Sequence, residues 1–145
     1  MLVSLYFSLS IKEEPKLCVM NLNQITIPSL DLEQSVPFYE KLGLILIVKS
    51  LPYYARFECP NGTSSFSIHQ TKELPKGKGI YVYFECENLD EHVENLKNIG
   101  IQFELEPTNQ SWLWREARLK DVDGNQLILY YAGDNRLNPP WRINN

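Results

Sequence analysis

The stretch QITIPSLDLEQSVPFYEKLGLIL (Gln24–Leu46) returns 57 residues later as YVYFECENLDEHVENLKNIGIQF (Tyr81–Phe103), aligned without a gap. Ile25, Ile27, Leu32, Val36, Leu42, Gly43 and Leu44 fall on Val82, Phe84, Leu89, Val93, Ile99, Gly100 and Ile101. Both copies read as strand, helix, glycine, strand. NQITIP alternates as a half-buried strand does. The helix behind it opens either at Asp31, with Gln34 three residues on, or at Ser35 just ahead of Pro37. Pro37 has no N–H and crowds the carbonyl four residues back, so a bent first turn is expected. Gly43 is placed to close the helix. In the second copy Asn88 and Glu91 read as a capping-box pair, and Leu89, Val93, Leu96 and Ile99 share one face before Gly100.

The repeat continues beyond these stretches. ARFECPNG (Ala55–Gly62) lies on ARLKDVDG (Ala117–Gly124) at a shift of 62, and Phe66–His69 lies on Leu127–Tyr130 at a shift of 61. Asn61-Gly62 and Asp123-Gly124 are turn pairs between strand-like runs, hence hairpins. Each half is therefore βαβββ. The expected fold class is α+β, built from duplicated βαβββ modules. Residues 21–75 make the first module, 76–133 the second and 134–145 a C-terminal tail. Residues 1–20 read as an appendage, with translation starting at Met20; an ordered extra strand there is the competing reading. Neither half alone has enough core to be stable, so the two should pack together.

Composition narrows the function classes. The 145 residues are 43% hydrophobic and 22% charged, the balance of a soluble globular protein. A net charge of -4 argues against a nucleic-acid surface, which needs clustered Lys and Arg. Cys18, Cys59 and Cys86 have no CxxC spacing and read as reduced thiols in the cytoplasm. No apolar run approaches the roughly 20 residues of a membrane helix. The opening stretch lacks the basic start and the cleavage site of a signal peptide. No phosphate loop, Gly-rich cofactor fingerprint or Ser-His-Asp arrangement is present.

The duplicated pattern resembles the vicinal oxygen chelate superfamily, which includes glyoxalase I, extradiol dioxygenases and bleomycin-resistance proteins. The resemblance spans about residues 21–132. It rests on SLDLEQSVPFYEKLGL in the first half, and on FECENLDEHVENLKNIGI and REARLKDVDGNQLILY in the second. The D-x-D-G-N turn before an apolar strand is its most specific piece. The resemblance implies that the modules form a curled mixed sheet around a cleft, with a metal held by the first and last strands of each half. Those positions here are Gln24, Ser67, Tyr81 and Ile128. Only Gln24 is a plausible ligand, Ile128 has no donor atom, and a catalytic zinc site typically keeps three protein ligands. The expectation is a cleft that binds a small molecule with no metal or other cofactor. The alternative is a metal-dependent lyase, isomerase or dioxygenase with altered ligands, for which Gln24, His69 and Glu85 form a displaced set. Relatives commonly pair, and exposed sheet edges are unfavourable. A homodimer is therefore expected, with the tail from Asn135 to Trp141 at or near its interface.

His69, two residues past Ser67 on the same strand, shares its face and should point into the cleft. It is the candidate catalytic residue and a candidate ligand contact. His92, among charged residues in mid-helix, should be solvated. Tyr53, Tyr54, Tyr81, Tyr83, Trp112, Trp114 and Tyr130 are dense near the expected cleft, with Tyr81, Tyr83 and Trp114 as its apolar walls. Arg56 and Arg118 occupy equivalent places in the two halves. They serve either a structural ion pair or an anionic ligand, and Arg115 and Arg118 are the candidates to meet such a ligand. Cys59 and Cys86 read as small buried residues. Pro139 and Pro140 are expected to stop the last strand, and Trp141 to pack on its own sheet or on a partner.

Overall fold

A computed structural model of the chain describes residues 4–6 and 20–143. Cys18, and the expected appendage over residues 1–20 apart from residues 4–6 and Met20, lie outside the described residues. The first module is β1 (Gln24–Ser29), α1 (Leu32–Lys41), β2 (Ile45–Ser50), β3 (Tyr54–Glu58) and β4 (Ser65–Gln70). The second is β5 (Tyr81–Glu85), α2 (Leu89–Asn98), β6 (Leu105–Asn109), β7 (Arg115–Lys120) and β8 (Gln126–Tyr131). A 3-10 turn, Gly133–Arg136, follows. Each module makes one four-stranded sheet, ordered β1-β4-β3-β2 and β5-β8-β7-β6. The first strand runs parallel to the last, and the other pairs are antiparallel. The α+β fold of duplicated βαβββ modules read from the sequence is the fold observed. The two mixed sheets stay separate and are not closed.

Alternation along the strands decides which side is core. Ile27, Ala55, Phe57, Phe66 and Ile68 of the first sheet join Val82, Ala117, Leu119, Leu127 and Leu129 of the second in one hydrophobic cluster with the buried faces of both helices. Phe66 and Phe84 meet across the modules at 5.7 Å between ring centroids. Of the two openings for α1, the structure takes Asp31, whose carboxylate accepts from Glu33 N at 3.0 Å and from Gln34 Nε2 at 3.1 Å. Pro37 therefore lies past the first turn, inside the helix. Both helices close on a left-handed glycine. Gly43 N donates to Glu40 O and Leu44 N to Tyr39 O; Gly100 N donates to Lys97 O and Ile101 N to Leu96 O. Gly43 and Gly100 have φ of +105° and +95°, which glycine adopts without a Cβ penalty.

Three local readings need correction. Asn88 stands at the N-cap of α2 but makes no side-chain capping bond. Asp90 and Glu91 in the first turn instead set negative charge against the helix N-terminus. The strand after Gly100 begins only at Leu105, later than the repeat places it, and its register breaks between Leu105 and Thr108, around Pro107. The last strand ends at Tyr131, before Gly133 at φ +54°, and not at the later prolines.

The D-x-D-G-N turn clasps the modules together. The Asp121 carboxylate accepts from Asp123 N at 3.0 Å, from Asn125 N at 2.8 Å and from Asn125 Nδ2 at 2.8 Å, and also takes the Tyr39 hydroxyl of α1. Asp123 accepts from Leu30 N at 2.8 Å and from Ser35 Oγ at 3.1 Å. Asn125 Nδ2 also donates to Pro28 O at 3.2 Å. Burial, and then the Asp121 charge, push the Tyr39 phenol far above its ordinary range.

Candidate functional site

Each sheet has a second face, turned from the core by the same alternation. On the first sheet it carries Gln24, Thr26, Tyr54, Arg56, Ser65, Ser67 and His69. Thr26 and Ser67 are cross-strand partners, their hydroxyls 2.6 Å apart, and Ser67 is fully buried. Ser65 Oγ donates to Gln24 Oε1 at 2.9 Å. Tyr54 pairs with His69 and Arg56 with Ser67 in the β3–β4 register. Arg56 Nε donates to the Tyr54 hydroxyl at 2.9 Å, with the guanidinium carbon 5.5 Å from the ring centroid. Burial works to raise the Tyr54 phenol, but hydrogen bonding from Ser67 and Arg56, and the Arg56 charge, outweigh it and lower the phenol below its ordinary value. His69 is exposed at the end of β4.

The corresponding face of the second sheet is aromatic. Trp114 stacks on Tyr130 at 4.6 Å and 19°, and Tyr83 meets both edge-on at 5.9 and 5.7 Å. Ile128 lies beneath them, 1% exposed. Burial, and then Glu116, raise the Tyr83 phenol; burial, and then Glu85, raise that of Tyr130. Glu116, 1% exposed, accepts from Trp112 Nε1 at 2.9 Å and from Arg118 Nη2 at 3.0 Å. The tail folds onto this face of its own chain: Trp114 Nε1 reaches Asn135 O at 3.5 Å, and Arg136 Nε lies 3.7 Å from Glu85 Oε2. Trp141 is exposed.

The expected site residues therefore fall into two groups. Gln24, Ser67 and His69 share the first sheet's polar face; Tyr81, Tyr83, Trp114, Arg118 and Ile128 share the second sheet's aromatic one. Among the described residues, no hydrogen bond, ring contact or ion pair joins the two groups. Arg115 belongs to neither. It alternates toward the helix side and binds Asp90 of α2 through Nε and Nη2, with Nη1 on Asn109. Arg115 and Arg118 thus lie on opposite faces of β7.

A cleft of about 690 Å³ opens between the modules, near the end of β5. Leu42, Gly43, Cys59 and Asn61 line one side; Tyr83, Glu85, Cys86, His92, Tyr130 and Arg136 line the other. Only Tyr83 of the proposed ligand contacts reaches it. His92 is half-buried there, with its ring toward Gly43, and is not fully solvated. Cys59 and Cys86 are partly buried against the core, as expected, and burial raises both thiols.

A family model for the glyoxalase/bleomycin resistance protein/dioxygenase superfamily matches residues 21–129. The chain belongs to this superfamily. Among its solved members, a glyoxalase/bleomycin resistance protein/dioxygenase from Nocardioides superposes with a TM-score of 0.70 at 22% identity, covering 90% of this chain and 93% of that one. A bleomycin-binding protein complexed with bleomycin gives 0.64 at 20% identity, covering 78% and 98%. A lactoylglutathione lyase from Agrobacterium tumefaciens gives 0.64 at 16% identity, covering 81% and 96%. Identities this low establish shared fold, not shared chemistry. No curated protein matches the chain in sequence.

The metal implied by some superfamily members does not fit the residues present. Gln24 accepts from Ser65, Ser67 is hydrogen-bonded to Thr26, and Ile128 offers only buried alkyl carbon. Glu85 of the displaced set lies beside Arg136, and among the described residues no hydrogen bond or ion pair joins it to Gln24 or His69. Among the described residues no three His, Cys, Asp or Glu side chains are grouped to hold a metal. Among the described residues no helix is long and apolar enough to cross a membrane.

Proposed function

We propose that this superfamily member is a small-molecule-binding protein whose ligand lies over the second faces of its sheets, without the metal some relatives use. Ile128 carries the reading. It occupies an inherited ligand position, is 1% exposed, and is roofed by rings instead of being replaced by a carboxylate. Rings arranged edge-on and stacked present the apolar wall that a flat ligand needs, while the first sheet supplies hydroxyls, an amide, an imidazole and a guanidinium for its polar groups. His69, Ser67, Gln24, Tyr81, Tyr83, Trp114 and Arg118 are the proposed contacts. The protein works as a cytoplasmic homodimer, with the tail from Asn135 to Trp141 near the interface. Exposed Ile45 and Ile47 on β2, at the margin of its sheet, support a paired assembly.

The test is elemental analysis of purified protein with and without chelator, alongside thermal-shift screening of small molecules. Substoichiometric metal, a melting temperature indifferent to chelator, and stabilisation by an organic ligand are the expected results. Stoichiometric zinc, nickel, manganese or iron, lost on Gln24→Ala, would instead establish the altered-ligand lyase, isomerase or dioxygenase. A monomer in light scattering at tens of micromolar, on the order where specific interfaces hold, would remove the dimer.

A further inference from the structure

Duplication puts Tyr54 of β3 where Glu116 stands in β7, each two residues ahead of an arginine on the same face. The two arginines are consequently in opposite electrical situations. Arg118 donates to the buried Glu116 carboxylate through Nη2 at 3.0 Å and Nε at 3.3 Å, so its charge is cancelled. Arg56 has a phenol as its partner instead. Its Nε is engaged by Tyr54, while among the described residues no hydrogen bond takes up the other N–H groups of the five a guanidinium carries. No carboxylate lies within ion-pair distance of Arg56 among the described residues, although Glu58 is two residues further along the same face. Around it stand the Ser67 and Thr26 hydroxyls and, opposite Tyr54, the exposed His69.

We infer that this patch is the acid-group subsite of the ligand, so that the ligand is an organic carboxylate. The inference rests on the reading that this face binds a small molecule. With Nε facing Tyr54, the paired Nη1 and Nη2 edge is the part of the fork left for a planar anion, which it grips through two parallel hydrogen bonds. One uncancelled positive charge balances one carboxylate. Tyr54 holds the guanidinium in place through the Nε bond and the ring beneath it. The equivalent patch on the second sheet, already neutral, has no use for an anion. The ligand's acid group thus belongs on the first module's face.

The experiment is an NMR titration of 15N-labelled protein with 2-naphthoate and, separately, with uncharged 2-naphthamide, following backbone amides and the Arg56 Nε–H. The acid should shift Tyr54, Arg56, Ser67 and His69 and bind about tenfold more tightly than the amide, the scale of a lost charge-assisted bond. Arg56→Gln should abolish the preference, and Arg56→Lys, which keeps charge but not the fork, should retain part of it. Equal affinity of both probes at these residues overturns the carboxylate assignment and leaves the binding face standing. So does a preference that survives Arg56→Gln, acid binding elsewhere, or inorganic phosphate shifting the same signals equally well. Shifts from neither probe overturn the binding reading as well.

Discussion

Removing the Asp121 carboxylate should loosen the module junction more than any other single change at the surface turns. Asp121 is 7% exposed and accepts four hydrogen bonds, three from its own turn and one from Tyr39, which is 0% exposed. In Asp121→Ala the turn N–H groups can recover water, but the Tyr39 hydroxyl cannot. An orphaned buried donor costs about 1–3 kcal/mol, and the lost charge-assisted turn bonds add about 1–2 kcal/mol after rehydration. The expected loss is about 3 kcal/mol, or a melting point lower by about 6–12 °C in a chain of this size. Tyr39→Phe removes only the donor and leaves the carboxylate its three N–H partners, so about 1 kcal/mol is expected. Adding Tyr39→Phe to Asp121→Ala should cost almost nothing, since the orphan is gone. Urea unfolding followed by circular dichroism on the four proteins gives the coupling directly. A loss below about 1 kcal/mol for Asp121→Ala, or simple additivity of the two changes, would show that the core alone holds the modules and that the clasp contributes nothing.

Alkaline pH should expose the same junction. Burial raises the Tyr39 phenol above its ordinary 10.0, so the unfolded chain ionises first. Stability linked to Tyr39 is therefore complete below pH 10.0 and declines above it by up to ~1.4 kcal/mol per pH unit, a slope that Tyr39→Phe should remove in urea titrations at stepped pH. Gly43→Ala forces a side chain onto φ +105° and should cost about 1 kcal/mol or more in the same unfolding assay; a neutral result would mean that the helix end relaxes. His69→Ala should leave stability within about 0.5 kcal/mol, because the side chain is exposed, yet weaken ligand binding about tenfold or more by calorimetry. A large fall in melting temperature with unchanged affinity would make His69 a structural residue.

The fold was legible because its determinants are local and repeated. Apolar spacing sets the helices, Gly43 and Gly100 end them, and Asn61-Gly62 and Asp123-Gly124 turn the hairpins. What stayed hidden depends on partners far off in sequence. Asp121 and Tyr39 are 82 residues apart, and nothing local marks the motif as a clasp. His92 reads as solvated from its charged helix neighbours, but it is half-buried along the cleft that faces the other module. Arg115 stands an odd number of residues from Arg118, and that parity sends it to Asp90 of α2, a partner 25 residues away in sequence. The difference between Arg56 and Arg118 was present in the repeat itself, in Tyr54 against Glu116. Its meaning needed the burial of Glu116 and the direction in which each side chain reaches.

Alternation along the strands separates stability from recognition by a single residue step. On the core side the two copies agree in kind: Ala55 with Ala117, Phe57 with Leu119, Phe66 with Leu127 and Ile68 with Leu129, all buried. On the other side they disagree at nearly every place, with Gln24 against Tyr81, Tyr54 against Glu116 and Ser67 against Ile128. After a gene duplication, substitutions on that side can accumulate without repacking the interior, so each copy is free to specialise. The scaffold is in this sense evolvable. One half has kept a charged, hydroxyl-rich vocabulary and the other an aromatic one, and new specificities can be written on either without rebuilding the protein that carries them.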